Sequence, residues 1–337
     1  VDWTSKASVQ AKLRLAVKAV LKRMGYPPDG QEKATLLVLE QAKALGINLS
    51  GEAANDEARA VSSTPPSHRL RPLPYPIAVF DHLVQSQTEA TLRVKTYRDG
   101  FEKALSFLTS IGLALVTAHH GGKLPDRAIA VLKRALGKPI SMGTWHELAW
   151  KLAAMVPAES TDPAARALRA LATLEGKPSP LMHEVMTEVV QERNVFAHSV
   201  TPSSDEVARA EPGLMDLWRR FKKALAPLAE TRLVVRAQLL DFDLSAHSWQ
   251  YRARVLEGGS DLFKVLDVQV SGEMKEQWCY LLRDGAPPLS LAPIVFCAHS
   301  EKTSRHEVFV ARRIPSLEPG AKIDGVGVAS AVSMRVG

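Results

Sequence analysis

Apolar residues recur three and four positions apart near the start of the chain, at Val9, Leu13, Ala16, Val17, Val20, Leu21 and Met24, while Lys12, Lys18, Lys22 and Arg23 fall mostly outside that stripe. The spacing predicts an amphipathic helix. It stops at Gly25, before Pro27 and Pro28; Asp29 and Glu32 then have the spacing of a capping box, and Ala34, Leu37, Val38 and Leu45 continue a second apolar face. Residues 1–46 therefore read as a helical hairpin. Alone it is too small to bury its stripe, so it needs a partner surface in this chain or on another protein.

Residues 47–76 are small and polar and end in Pro65, Pro66, Pro72, Pro74 and Pro76, the composition of a linker that stiffens towards its proline end. Helical periodicity returns over 77–230. One stripe is Phe101, Leu105, Leu108, Gly112 and Leu115; a second is Leu148, Leu152 and Met155; a third is Leu181, Val185, Val189 and Phe196. A last helix is expected from Gly213, just after Pro212, to Glu230. Four or more helices in one block make a bundle, with Trp145, Trp150 and Trp218 expected as core anchors.

After Thr231 the period changes to two. Trp249, Tyr251, Ala253 and Val255 alternate with Gln250, Arg252 and Arg254, Val268 and Val270 flank Gln269, and Val308 and Val310 flank Phe309. Gly258-Gly259, Ser271-Gly272 and Asp284-Gly285 mark turns. Five or six successive strands over 231–315 imply a mainly antiparallel sheet, followed by a Gly/Ala/Ser-rich tail over 316–337 expected to fray. The fold class is thus α+β: a helical hairpin, an all-α bundle and a C-terminal β domain.

Composition narrows the function. With 337 residues, 46% of them hydrophobic, the chain can form two domains with their own cores. Two cysteines, Cys279 and Cys297, cannot staple a fold of this size and suit a reducing cytoplasm. No unbroken apolar run reaches the roughly 18 residues of a membrane span, so a soluble cytoplasmic protein without membrane contact is expected. The net charge of +7 is compatible with a polyanionic partner. There is no phosphate-binding glycine loop, so no nucleotide cofactor is expected. Cys297, His299 and His306 lack the paired spacing of a metal centre and read as a buried thiol with surface imidazoles, so no metal is expected either.

Two stretches resemble known families. The opening VDWTSKASVQAKLRLAVKAVLKRMGYPPDGQEKATLLVLEQAKAL resembles the helical C-terminal region of the type I restriction enzyme R subunit. In that family the region is an assembly element without catalytic residues, which implies docking to a restriction or other defence complex through residues 1–46. Residues 77–230 resemble HEPN domains, helical bundles of prokaryotic defence and toxin systems. The carrying features are the stretch QERNVFAHSV, the segment Pro139-Ile140-Ser141-Met142-Gly143-Thr144-Trp145, and the later CYLLRDGAPPLSLAPIVFCA.

The HEPN resemblance implies an endoribonuclease site at Arg193, Asn194 and His198, completed by homodimerisation that brings two motifs into one cleft. RNA cleavage without metal needs a base for the 2′-hydroxyl proton and a cation for the phosphate. An imidazole suits the first role and a guanidinium the second; Asn194 would orient the imidazole or donate to phosphate. On a continuous helix Arg193 and His198 stand about 140° apart, so one subunit holds the pair poorly. Toxin members often carry an aromatic residue two places after the His, where this chain has Val200. The same residues also suit an ordinary helix end, with His198 facing the dipole and Arg193 pairing with Glu188 or Glu192. In that case the chain is a non-catalytic adaptor of a type I restriction-like or other phage-defence complex.

Overall fold

The computed structural model describes residues 71–136, 138–191, 204–314, 323–330 and 332–336, together with Thr35. The chain divides into two units, Val1–Arg69 and Leu70–Gly337. The expected hairpin of residues 1–46 lies outside the described residues, apart from Thr35. The description below concerns the second unit.

Seven α-helices precede nine strands among the described residues, a mixed α+β fold. The helices are α1 (Tyr75–Ser86), α2 (Ala90–His119), α3 (Asp126–Leu132), α4 (Met142–Ala153), α5 (Pro163–Leu168), α6 (Pro180–Val185) and α7 (Ser204–Ala224). The central one is α2, against which α1, α4 and α7 pack. Its apolar stretch is long enough by composition to cross a membrane, but 67% of that stretch is buried inside the protein, as befits a core helix. Gly112 lets α4 approach: a Cβ there would lie 2.9 Å from Leu152 Cβ. On the other side Phe101 meets Trp218 edge-on at 5.0 Å and Phe221 at 5.3 Å. Trp218 and Trp145 are buried; Trp150 is half-buried, with the Lys151 ammonium over its ring.

The last long helix differs from the expected one. α7 begins at Ser204 and runs through Pro212. Proline removes one helical hydrogen bond, yet buried residues on both sides of it, Val207 and then Leu214, Leu217, Trp218 and Phe221, hold one continuous face against the bundle. The neighbouring Glu211 is gripped by both Nε and Nη2 of Arg93, at 2.5 and 3.2 Å. Tertiary contacts outweigh the local break.

The strands are β1 (Arg232–Asp243), β2 (Ser248–Val255), β3 (Lys264–Val270), β4 (Cys279–Arg283), β5 (Ala286–Ser290), β6 (Val295–Ser300), β7 (Arg305–Ala311), β8 (Ile323–Gly327) and β9 (Ser333–Val336). They form two antiparallel sheets, ordered β3-β2-β1-β4-β5 and β6-β7-β8-β9. In β2 the alternation seen in the sequence is the observed register, with Tyr251, Ala253 and Val255 inward. One continuous apolar core unites the bundle with both sheets: it runs from Phe101 and Leu108 to Leu233, Val235, Leu281, Val295, Cys297 and Val310.

More strands form than the expected five or six: seven, β1–β7, already lie within residues 231–315, and β8 and β9 arise in the segment read as a frayed tail. Its glycines serve close packing. A Cβ on Gly325 would sit 2.4 Å from Phe296 Cζ and 3.2 Å from Phe309 Cβ, and those two rings stack at 5.3 Å in the outer core of the second sheet. Gly325→Ala is expected to destabilise the protein by about 1–3 kcal/mol, the cost of overpacking. Urea unfolding checks this, and an unchanged midpoint would refute the packing account.

Candidate functional site

The sequence places its candidate chemistry between α6 and α7. Ser179 caps α6: its hydroxyl accepts from Met182 N at 3.2 Å and donates to Ala170 O at 2.6 Å. The helix then widens into a π turn over Met186–Gln191. Two carbonyls just upstream of it accept side-chain donors. Met182 O, which receives Met186 N–H, also receives His146 Nε2 at 2.7 Å, and His183 O receives Thr187 Oγ1 at 3.0 Å. The wide turn buries Val189 and Val190 together, where an α-helical stripe would bury only the first.

Two outer elements fix this turn. The N-terminus of α4 is capped by Ser141, whose hydroxyl accepts from Thr144 N at 3.2 Å. Gly143, on its first turn, passes so close that a Cβ would lie 3.4 Å from Val190 Cγ1. The segment Pro139–Trp145 and the chain leading into QERNVFAHSV, far apart in sequence, are thus neighbours in space. His146 is buried, with an imidazole pKa pushed down by burial despite the Met182 carbonyl. It is a neutral tie between α4 and α6. Helical spacing gave no sign of it, since His146 follows Trp145 inside an apolar stretch.

On the α7 side Arg220 donates to Glu184 at 2.6 Å and to Asp216 at 2.8 Å. The Arg220 hydrogen bond holds the Glu184 carboxyl below the usual carboxylate range; Asp216 is held down first by Arg219 and then by Arg220. A carboxyl with a depressed folded-state pKa stabilises above its unfolded pKa and loses that contribution as pH falls through the folded value. The midpoint difference between wild type and Glu184→Gln is therefore expected to be present at pH 7 and to vanish in acid below the carboxylate range. Thermal melts across pH test this, and a difference independent of pH would refute the ion-pair explanation.

Arg193, Asn194 and His198 lie outside the described residues, as does Phe196 of the third stripe. What is described is their approach: the π turn ending at Gln191, the first turn of α4 beside it, and the start of α7 at Ser204. Elsewhere, His119 and His120 close α2, with His120 Nδ1 2.8 Å from Val116 O, before Gly121 and Gly122 turn the chain at φ of +65° and +86°. Cys279 and Cys297 are buried free thiols, Cys297 with its pKa pushed up to about 12 by burial.

No solved structure matches the chain. Residues 1–47 match the family described as Type I restriction enzyme HindI endonuclease subunit-like, C-terminal. The chain is also similar to the Type I restriction enzyme HindI endonuclease subunit of Haemophilus influenzae (strain ATCC 51907 / DSM 11121 / KW20 / Rd), 41% identical over 51 residues, which are 15% of this chain. That match spans 5% of the relative's length. The N-terminal region of this protein thus resembles the C-terminal part of a type I restriction endonuclease subunit, and the resemblance is confined to that region.

Proposed function

We propose that this protein is a prokaryotic defence-associated endoribonuclease of the HEPN type, which cleaves RNA without metal through Arg193, Asn194 and His198 and docks to a partner complex through residues 1–46. The observation that supports this reading is the stretch QERNVFAHSV, which opens on the last residue of the π turn over Met186–Gln191. Such turns are frequent at functional sites. The chemistry balances within RNA itself. His198 accepts the 2′-hydroxyl proton, the 2′-oxygen bonds to phosphorus, the P–O5′ bond breaks, and the leaving 5′-oxygen takes a proton from an imidazolium or from water. Arg193 offsets the charge that builds on the phosphoryl oxygens. A homodimer would supply a second imidazole and close the groove. Labelled RNA incubated in EDTA with a verified dimer should yield fragments ending in 2′,3′-cyclic phosphate; ends of any other kind would contradict 2′-hydroxyl attack.

The restriction-subunit resemblance of residues 1–47 supports a second reading, a non-catalytic adaptor in a type I restriction-like or other phage-defence complex. Deleting residues 1–46 would then abolish partner recruitment, while His198→Ala would leave phage protection unchanged. Loss of protection in His198→Ala would exclude it.

A further inference from the structure

The first sheet, β3-β2-β1-β4-β5, has two edges of opposite character. β5 closes one of them with Pro287 and Pro288 inside a strand of five residues, and a proline cannot donate to a further strand. β3 closes the other with seven residues, Lys264–Val270, that pair with β2 from end to end without a bulge. It holds no proline, and its outer edge pairs with no strand among the described residues. Protected edges carry prolines, bulges or inward-pointing charges. β3 has only Lys264 at its start and Asp267, whose carboxylate is already held by Arg252 across the pair, Nε to Oδ1 at 3.0 Å and Nη2 to Oδ2 at 3.3 Å.

The two faces of β3 differ as well. Leu266, Val268 and Val270 lie opposite Ala253, Tyr251 and Trp249, on the side that builds a smaller core around Tyr251. Leu266 is 40% exposed, and the apolar surface continues over the same sheet face to Leu239 and Phe242, at 46% and 38%. Phe242 meets Trp249 with ring centroids 4.6 Å apart. Asp267 and Gln269 occupy the other face, both exposed. An open edge with one apolar row and one polar row is suited to the addition of a strand.

The order of these side chains selects the strand that fits. An antiparallel pair related by a two-fold axis sets one residue opposite its own copy, and its neighbours opposite those equally far beyond that centre. Centred on Asp267, two carboxylates would face each other; centred on Leu266, Lys264 would face Val268 and Val265 would face Asp267. Centred on Gln269, Leu266 would face Gly272, past the end of the strand. Centred on Val268, the apolar row meets itself, Leu266 against Val270 and Val268 against Val268, and Asp267 meets Gln269 on the polar face. One N–H of the Gln269 amide reaches Ser248 Oγ at 3.0 Å, which leaves the second to donate to the carboxylate of the other copy. We propose that β3 pairs antiparallel with β3 of a second copy of this chain, about a two-fold axis at Val268, joining the two five-stranded sheets into one. The contact lies in the strand-rich half and stands independently of the ribonuclease reading, whose dimer joins the motifs of two helical bundles.

The test uses the full chain with single cysteines added on β3. Cys279 and Cys297 are buried, so the wild type serves as the blank. Directly opposed residues bring their Cβ atoms to about 4.5–5.5 Å, close enough for a disulfide. Val268→Cys is therefore expected to give a disulfide-linked dimer under mild oxidation, read on a non-reducing gel. Leu266→Cys alone should give none, because its own copy stands roughly 13 Å further along the strand; mixed with Val270→Cys it should link. Unchanged thermal midpoints show that the variants fold. Sedimentation equilibrium tests the polar row without any cross-link. Gln269→Glu puts a carboxylate opposite Asp267 twice by symmetry and should raise the dimer dissociation constant by about 2- to 30-fold, whereas Gln269→Lys should lower it. RNA cleavage enters neither readout. A Val268→Cys chain that stays unlinked, even where the wild type associates through another surface, would overturn the proposal. So would a self-link at Leu266→Cys, or shifts of the same sign in Gln269→Glu and Gln269→Lys.

Discussion

On the proposed ribonuclease reading, His198→Ala is expected to lower metal-independent RNA cleavage by about 10²- to 10⁴-fold, the usual contribution of a positioned general base, and to leave the proposed dimer intact. The expected size follows from what is removed. The 2′-hydroxyl is a poor nucleophile until its proton is taken, and an imidazole with an ordinary pKa near 6.5 is the side chain best matched to that task near neutrality. Wild-type rate should rise with pH through the imidazole titration, and that limb should disappear in the variant. Arg193→Lys should also lose activity, because an ammonium keeps the charge but cannot bond two phosphate oxygens at once. Initial rates in EDTA, with sedimentation to confirm association, measure both effects. Equal rates in wild type and His198→Ala would end the ribonuclease reading and leave the adaptor.

Arg283→Met is expected to cost about 2–4 kcal/mol of stability, near the lower end of the range for breaking a buried ion pair. Arg283 Nη1 lies 2.5 Å from Asp162 Oδ2, and Nη2 donates to Pro287 O at 2.6 Å. The two side chains are only 10% and 18% exposed, which separates this pair from the protein's many surface ion pairs. Asp162 has a second duty: its Oδ1 accepts from Ala164 N at 2.8 Å and so caps α5. One contact thus joins the helix that opens at Pro163 to the β4–β5 hairpin. Methionine replaces the aliphatic stem but leaves the carboxylate partly buried without its cation. Because bundle and sheets share one core, far-UV circular dichroism and tryptophan fluorescence should report the same lowered urea midpoint. A change below about 0.5 kcal/mol would place the pair among ordinary surface bridges, and separated transitions would show that the two halves unfold independently.

The sequence alone determined the elements whose cause is local. Helical spacing marked the α2 stripe from Phe101 to Leu115, alternation marked β2 from Trp249 to Val255, and the change of period at Thr231 lies between the last helical turn and β1. The restriction-subunit resemblance of the first 46 residues was also legible, because a dense run of matching side chains needs no fold to be recognised. Tertiary structure decided whatever depends on residues distant in the chain. Pro212 stays inside α7 because Val207 and Leu214 bury against the same surface. Gly325 belongs to a strand because it pairs with Ala311 and Met334, distant in the chain, and the Phe296 ring it packs against leaves no room for a Cβ. The helix before the π turn is tied to α4 by His146, which donates to the carbonyl of Met182, 36 residues further along the chain.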